Sequence, residues 1–401
     1  MKADARCTVI RNGTVLTPLR EIRDGVVVTE GCRIRAVGRR NEVEEPPGAE
    51  VMDAVGGHIT PGLVDIHVHG SHGADVLDAT PEALETMSRF LATRGVTSFV
   101  PTMITAPTED LLAGLDNARR VRQAGGLPGA EMLGVHQEGP FLNPAQKGAH
   151  PEELLVCPAP ERYAPFLEYA DVLTSMTLAP ELEGALGLIR ALRDRSVVAA
   201  CGHSIAIHRE FVPAIEAGLS HAVHCFCNMG TLRRDNLKRV AGVVETVLCD
   251  DRLTTELIAD GWHIGDTLMK LAVKVKGVER VCLVTDAMTA AGMPPGRYFV
   301  GGVEAIVEDG IARLPDNSAY ASSVTTMDVC VRNAVERIGL ELSEAVRMAS
   351  LTPATVVGVE ERKGSLEPGK DADVVVMDEN ANVRLTIARG VVVYRAANVP
   401  D

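Results

Sequence analysis

The chain has 401 residues, of which 46% are hydrophobic and 23% charged, as is ordinary for a globular protein with a large core. Its formal net charge of −14 and its 3% aromatic content argue against binding to nucleic acid or to an anionic membrane surface. Residues 1–6 lack the apolar core of a secretion signal, no apolar run reaches membrane-spanning length, and the nine cysteines form no CxxC pair. We therefore expect a cytoplasmic protein with reduced thiols.

Both ends of the chain are rich in short β segments. Residues 7–59 contain three strand-like runs separated by turn dipeptides, and residues 374–377 and 390–394 repeat this pattern near the other end. Because chain termini often lie close together, we predict that the two ends form one small β-sandwich domain. Its predicted bounds are residues 1–60 and 356–401.

The middle of the chain alternates apolar strand runs with amphipathic helices. One helix begins after Thr80, has Pro81 in its first turn, and ends before Gly95. Repeated βα units predict an α/β fold, a (β/α)8 TIM-like barrel over residues 61–355. A doubly wound open sheet is the alternative, but no GxGxxG or phosphate-binding loop motif supports it. The eight predicted barrel strands are 63–69, 96–100, 132–135, 173–178, 197–201, 222–226, 255–259 and 281–284.

The first barrel strand carries two imidazoles at its end. His67 and His69 are separated by one residue, so in a strand both side chains leave the same face. A lone histidine in such a run is more often a hydrogen-bonded core residue. A pair on one face at a strand end instead indicates a metal site, since neutral imidazole is the commonest metal ligand.

Polar residues recur at the ends of five other predicted strands. Barrels place their chemistry at the C-terminal ends of strands, so these residues are expected to share one site. Any one of them could be a hydrogen-bonded rim residue, but such a set of imidazoles and carboxylates suits Zn²⁺ or a similar first-row divalent ion. They are His136 and Glu138, His203, His224, Asp260 to His263, and Asp286.

Several local motifs recur together along the chain. They are His67-x-His69, Glu138-Gly139-Pro140, Lys147 to His150, Gly202-His203-Ser204, Val223-His224, Asp260 to His263, Val284-Thr285-Asp286 and Ala321-Ser322-Ser323. In this order they resemble the amidohydrolase superfamily and, more narrowly, the N-acetylglucosamine-6-phosphate deacetylases. The resemblance runs essentially from end to end and implies a metal-dependent hydrolase of an N-acetylhexosamine 6-phosphate.

The resemblance also implies a metal site. Glu138, His203 and His224 match the ligands of the principal ion. His67 and His69 match a second position that some members of the family keep and others lose. One or two divalent ions are therefore expected, with zinc favoured over iron, manganese or cobalt.

The remaining roles likewise come from the resemblance. Asp286 matches the catalytic acid/base, and His150 matches a group that binds the acetyl carbonyl. Arg234 matches a phosphate ligand that is typically lent by a neighbouring subunit, which implies a homodimer or homotetramer. The full set of implied substrate-binding residues is Ala149, His150, Cys227, Asn228, Arg234, Asp260, Gly261, His263, Tyr320, Ala321 and Ser322.

Two departures from the family pattern leave the sugar open. Cys227 stands where the family usually has Asn, and Ser322 where it commonly has Gly, so N-acetylgalactosamine 6-phosphate or another acetamido sugar is an alternative substrate. A dihydroorotase or isoaspartyl-peptidase relative is a second alternative, although such enzymes usually carry a bridging carbamylated Lys. A non-catalytic barrel scaffold is the third, but this chain retains its ligands and acid/base. The histidines that match no motif position, interpreted as structural or surface residues, are His58, His72, His208 and His221.

Overall fold

A computed structural model describes residues 6–397 of the chain, which form a mixed sheet from the two chain ends and a parallel barrel from the middle. Residues 1–5 and 398–401, which belong to the predicted small domain, lie outside the described residues. Among the described helices none is both long and apolar enough to cross a membrane.

The two chain ends form one hydrogen-bonded sheet around a shared core. The ends meet where residues 374–377 pair antiparallel with residues 58–61, and Ile10, Ile59 and Val376 are buried in a single cluster. The predicted domain built from both ends is confirmed, and its bounds of 1–60 and 356–401 remain a prediction. The strands of this sheet are Cys7–Thr17, Arg20–Glu30, Arg33–Arg39, Glu50–Asp53, His58–Pro61, Val374–Met377, Val383–Ala388 and Val391–Arg395.

The middle of the chain forms the predicted (β/α)8 barrel. Its strands are Leu63–Val68, Val96–Met103, Val135–Glu138, Leu173–Leu178, Val198–Cys201, Leu219–Ala222, Thr254–Ile258 and Val281–Val284. Neighbouring strands pair in parallel in chain order, and a short strand at Glu131–Met132 also pairs with the second strand. The first and last strands meet through a bridge between Val68 and Ala287, where the Asp286 N–H donates to the His67 carbonyl at 2.8 Å.

Helices follow most barrel strands and pack their apolar faces against the barrel. The first begins as predicted, because the Thr80 hydroxyl accepts from the Ala83 N–H and Pro81 occupies the first turn. The α-helices are Pro81–Ala92, Thr108–Gln123, Pro160–Leu167, Ala185–Arg193, His208–Ala217, Val243–Cys249, Asp266–Lys276, Met327–Asn333, Leu342–Met348 and Leu351–Val356. Single 3₁₀ turns lie at Val76–Asp78, Pro144–Gln146 and Glu152–Leu154, and a π-helical turn at Ala334–Ile338.

Insertions after three barrel strands add small sheets at the C-terminal end of the barrel. They follow the first, sixth and eighth strands, so they surround the end where the polar residues were predicted to gather. Their strands are Gly70–Ser71 with Ala74–Asp75, Arg233–Asp235 with Lys238–Val240, and Gly296–Val300 with Val303–Glu308 and Ile311–Arg313.

Two predicted strand boundaries were wrong, and the differences affect the site. The third strand continues to Glu138, so His136 and Glu138 lie within it rather than after it. The sixth strand ends at Ala222, so His224 lies in the following loop. The apolar run after Ala222 resembles a strand in sequence, but His224 has φ +30° and Phe226 φ +76°, which ends the extended conformation.

Candidate active site

A cavity of about 290 Å³ opens at the C-terminal end of the barrel. Its size and position are those expected of a small-molecule site on this fold. Most of the predicted site residues line it, namely His69, Glu138, Ala149, His150, His203, His224, Cys227, Asn228, His263, Tyr320, Ser322 and Asp286.

Glu138 lies at the centre of the cavity floor, surrounded by imidazole nitrogens. Its Oε1 atom is 2.8 Å from His224 Nε2, 3.2 Å from His203 Nε2 and 3.7 Å from His67 Nε2, and its Oε2 atom is 3.5 Å from His69 Nε2. Burial alone would raise the pKa of Glu138, but these imidazoles hold the pKa well below its usual range. The carboxylate is therefore ionised and available to a cation.

Three of these imidazoles are held from behind by backbone carbonyls. A carbonyl can only accept, so each Nδ1 carries a hydrogen, and in the neutral ring that binds a metal each Nε2 presents a lone pair to the cavity. Metal-ligating histidines are typically oriented in this way by the ring nitrogen that faces away from the metal. The contacts are His69 Nδ1 to Thr102 O at 3.0 Å, His203 Nδ1 to Gln146 O at 2.7 Å and His224 Nδ1 to Cys227 O at 3.2 Å.

His67 and Asp286 leave two buried polar atoms without a hydrogen-bond partner among the described residues. These atoms are His67 Nε2 and Asp286 Oδ1, which lie 3.7 Å apart. In the neutral form of His67 the Nε2 lone pair cannot satisfy a carboxylate oxygen, whereas a divalent cation would satisfy both atoms. The donor set of this structure therefore fits a divalent metal ion.

His150 has the opposite tautomer from these ligands. Its Nδ1 accepts from the Thr105 backbone N–H at 3.3 Å and lies 2.8 Å from the Thr105 hydroxyl, so the hydrogen is on Nε2. Burial and the neighbouring His203 lower the pKa of His150 to about 4, so the ring is neutral at pH 7. Nε2 lies 3.4 Å from Glu138 Oε2, which makes His150 a hydrogen-bond donor into the cavity rather than a metal ligand.

Asp286 lies directly after the last barrel strand and faces the same imidazoles. His69 Nε2 is 3.1 Å from its Oδ1 atom. Burial would raise the pKa of Asp286, but His69 and His67 outweigh burial and lower it. An ionised carboxylate beside the metal position can accept a proton, as a general base must.

The side wall of the cavity is built on a turn after the seventh strand. Asp260 Oδ2 lies 2.7 Å from His263 Nδ1, and the Tyr320 ring centroid lies 4.5 Å from that of His263. Gly261 has φ +88°, and a Cβ atom there would lie 1.7 Å from an Arg337 nitrogen, so the turn requires glycine. Asp260 and Gly261 therefore shape the wall through His263 rather than lining the cavity.

Comparison with known proteins agrees with this geometry. The chain matches the amidohydrolase family over residues 58–393. It is 40% identical over 350 residues to the N-acetylgalactosamine-6-phosphate deacetylase of Escherichia coli O157:H7, covering 85% of this chain and 89% of that protein. The chain belongs to the amidohydrolase family.

Other relatives indicate a narrower group within the amidohydrolase family. It is 35% identical over 393 residues to the N-acetylglucosamine-6-phosphate deacetylase of Bacillus subtilis, covering 97% of this chain and 98% of that protein. The same-named enzyme of Mycobacterium smegmatis, solved with N-acetyl-D-glucosamine-6-phosphate, superimposes with a TM-score of 0.88 at 32% identity, covering 98% and 100% of the two chains. The predicted membership of this hydrolase group is confirmed.

Besides Asp260 and Gly261, two further predicted substrate residues of this amidohydrolase do not line its cavity. Arg234 lies on the exposed hairpin at residues 233–240, opposite Arg239, and does not line the cavity of its own chain. Ala321 is fully buried behind the wall, beside Ser322. Within the described chain the cavity lining contains no Lys or Arg.

Sequence reasoning missed Glu256, a buried neighbour of the amidohydrolase site. Glu256 is buried in the seventh strand, with its Oε2 atom 2.8 Å from His67 Nδ1. His221, interpreted as structural or surface, is buried and its Nε2 lies 3.1 Å from Glu256 Oε1. The available signal for Glu256 was an ionisable residue inside a predicted barrel strand.

Three residues of this site also have a strained backbone. His203, His224 and Asp286 have φ values of +48°, +30° and +47°, in the left-handed region that non-glycine residues rarely adopt. Each such residue costs on the order of 1–3 kcal/mol and persists where the surrounding structure enforces it. The strained backbone directs the three side chains towards the cavity, and this lowers local stability.

Proposed function

We propose that this amidohydrolase removes the N-acetyl group from an N-acetylhexosamine 6-phosphate. N-acetylglucosamine 6-phosphate is the leading substrate, and the products are glucosamine 6-phosphate and acetate. The observation that carries the proposal is the arrangement around Glu138, where imidazole lone pairs, the His150 N–H and the Asp286 carboxylate share one cavity. Relatives named for this reaction support it.

The metal site belongs to this proposal. Glu138, His203 and His224 would hold the principal divalent ion, and His67 with His69 a second position. Zinc is the favoured metal, because the ligands are imidazoles and carboxylates. When bound, such an ion polarises a carbonyl group and lowers the pKa of water, which makes amide hydrolysis accessible near neutral pH.

His150 and Asp286 supply the other parts of the chemistry. The His150 N–H would donate to the acetyl carbonyl oxygen and stabilise the negative charge that develops there. Asp286 would take the proton of the attacking water and pass it to the sugar nitrogen. The nitrogen then leaves as an amine and not as the much more basic amide anion.

The phosphate would be bound across a subunit boundary. The cavity lining of the described chain offers His263 but no Lys or Arg, although a phosphate is best matched by the fixed fork of an Arg. Arg234 lies on an exposed hairpin, so we propose that Arg234 of a second copy completes the site in a homodimer or homotetramer. We also propose a cytoplasmic location, because the nine cysteines form no CxxC pair and are expected to be reduced thiols.

N-acetylgalactosamine 6-phosphate is the second candidate substrate. The Escherichia coli relative named for that sugar is 40% identical to this chain. Cys227 and Ser322, the two departures from the family pattern, both line the cavity and are free to alter contacts to the sugar.

The test is acetate release by purified, metal-analysed protein. The substrates are N-acetylglucosamine 6-phosphate, N-acetylgalactosamine 6-phosphate and the two unphosphorylated sugars. Turnover confined to a phosphorylated sugar supports the proposal and identifies the epimer. No acetate from any of the four, with metal bound, would overturn it in favour of another amide hydrolase or a non-catalytic barrel.

A further inference from the structure

Glu256 does not reach the candidate metal positions directly. It is linked to them through other side chains and backbone. It is buried in the seventh barrel strand, and three groups converge on its carboxylate. His67 Nδ1 lies 2.8 Å and the His224 backbone nitrogen 3.0 Å from Oε2, while His221 Nε2 lies 3.1 Å from Oε1. The carboxylate thus joins one residue from each of two candidate metal positions to the barrel wall.

The directions of these hydrogen bonds follow from the carboxylate, which can only accept. His221 Nε2 faces Glu256 and therefore carries a hydrogen, while its Nδ1 lies 2.7 Å from the Thr254 hydroxyl, which also lies 3.2 Å from the Ser220 carbonyl. A carboxylate can only accept, so His67 must also carry its hydrogen on Nδ1. The remaining lone pair of His67 is on Nε2, the buried atom that faces the cavity without a partner.

His67 is held differently from the other imidazoles around Glu138. His69, His203 and His224 are oriented by backbone carbonyls, whereas His67 is oriented by an ionisable side chain. A carboxylate partner fixes the tautomer and also increases the basicity of the ligand nitrogen. Since this partner is a side chain, its contribution can be removed without changing the backbone.

The position that His67 would serve is defined by geometry. His67, His69 and Glu138 are all buried, and each offers one ligand atom, the three atoms lying within 4.8 Å of one another. Two imidazoles and a carboxylate arranged in this way suit a first-row divalent ion.

We propose that Glu256, supported by His221 and Thr254, is a positioning residue that makes this chain retain a second divalent ion at His67 and His69. The inference rests on the metal site of the proposed function but not on the identity of the sugar. Glu256 acts through His67 and has no contact with substrate.

The experiment is a titration of metal-free protein with Co²⁺, followed by visible absorption and by metal analysis after gel filtration. The wild-type chain is expected to bind two equivalents. Glu256→Gln keeps the size of the side chain but cannot accept from all three donors. It is expected to bind one equivalent tightly and the second about 10–100-fold more weakly, as for other metal-site hydrogen-bond partners.

Glu131→Gln is the matched control, because it makes the same substitution at the opposite end of the barrel and should bind two equivalents. Saturation of the wild-type chain at one equivalent, or equal curves for wild type and Glu256→Gln, would overturn the proposal.

If Glu256→Gln does not fold, Thr254→Val is the variant that tests the proposal. It should weaken the second equivalent alone, and an unchanged curve would overturn the proposal. A chain that binds both ions but releases no acetate would contradict the proposed function and not this inference.

Discussion

Two buried clusters of charged side chains lie at opposite ends of the barrel. The base cluster consists of Lys363, Glu131, Asp371, Asp373 and Arg362, beside the start of the first strand. Lys363 Nζ lies 2.6 Å from Glu131, 3.0 Å from Asp371 and 2.7 Å from Asp373. Its charges are paired, and they join the barrel to the sheet formed by the chain ends.

The mouth cluster consists of His67, His69, Glu138, His203, His224 and Asp286. It is more completely buried than the base cluster, in which Arg362 and Glu131 are partly exposed, but it contains unpaired polar atoms and left-handed backbone at three residues. The comparison suggests that the base cluster serves stability and the mouth cluster serves binding and chemistry, at some cost in stability. The four predictions that follow test this division.

Asp286→Asn should have the largest effect on activity. The amide cannot accept a proton, so kcat for acetate release should fall about 10³-fold, equivalent to about 4 kcal/mol. The variant should still fold and hold the metal, since the amide keeps the size and shape of the carboxylate. Asp373→Asn is the control, and it should lower stability while leaving kcat unchanged. Retained turnover in Asp286→Asn would remove it from the acid/base role.

Lys363→Met should have the reverse effect. It leaves Glu131, Asp371 and Asp373 close together without their shared cation, which should cost about 3 kcal/mol in the free energy of unfolding. Urea denaturation measures this loss. Acetate release per folded molecule should be unchanged, and a folded variant that has lost its activity would break the division between the two clusters.

Arg234→Ala tests whether Arg234 of a second copy supplies the phosphate-binding cation that the cavity of a single chain lacks. Loss of a charged hydrogen bond to phosphate should raise KM about 30-fold for the phosphorylated sugar, or about 2 kcal/mol. Steady-state kinetics with the unphosphorylated sugar should show no change. Arg239→Ala, the cross-strand neighbour, is the matched control and should leave both KM values unchanged. An equal effect of Arg234→Ala on both sugars would exclude it from the phosphate site.

Glu131→Gln should give the smallest effect, on the pH dependence of stability. Burial would raise the pKa of Glu131, but Arg362 and Lys363 lower it to about 2 from an ordinary value of 4.5. Its stabilisation is therefore present above pH 4.5 and is lost as pH falls towards 2. Between pH 6 and 3.5 the wild type should lose about 1 kcal/mol more than Glu131→Gln in urea denaturation. Parallel pH profiles would show that Glu131 carries no such stabilisation.

Local sequence patterns predicted the framework and the residues at the strand ends, and the family resemblance implied the other cavity residues. Apolar strand runs that end in polar residues identified His67, His69 and Asp286, because the carboxyl ends of barrel strands meet at one edge. Turn dipeptides at both ends of the chain identified the small sheet domain. Each of these signals lies within a few residues of the chain.

The features that sequence did not predict depend on contacts between distant segments. Glu256 can orient His67 as proposed only because His67 and His221, which lie on two other strands, are within hydrogen-bond distance of its carboxylate. The position of His224 depends on a left-handed backbone that an apolar run does not indicate. The roles assigned to the cavity residues, and to Arg234 in a second copy, remain predictions.

The central claim is that the mouth cluster holds a divalent ion for amide hydrolysis. The most direct measurement is acetate release from N-acetylglucosamine 6-phosphate by chelator-treated protein as zinc is added back. The account predicts no turnover without the ion and recovery in proportion to the zinc bound. Full turnover by protein that metal analysis shows to be free of divalent ions would contradict it.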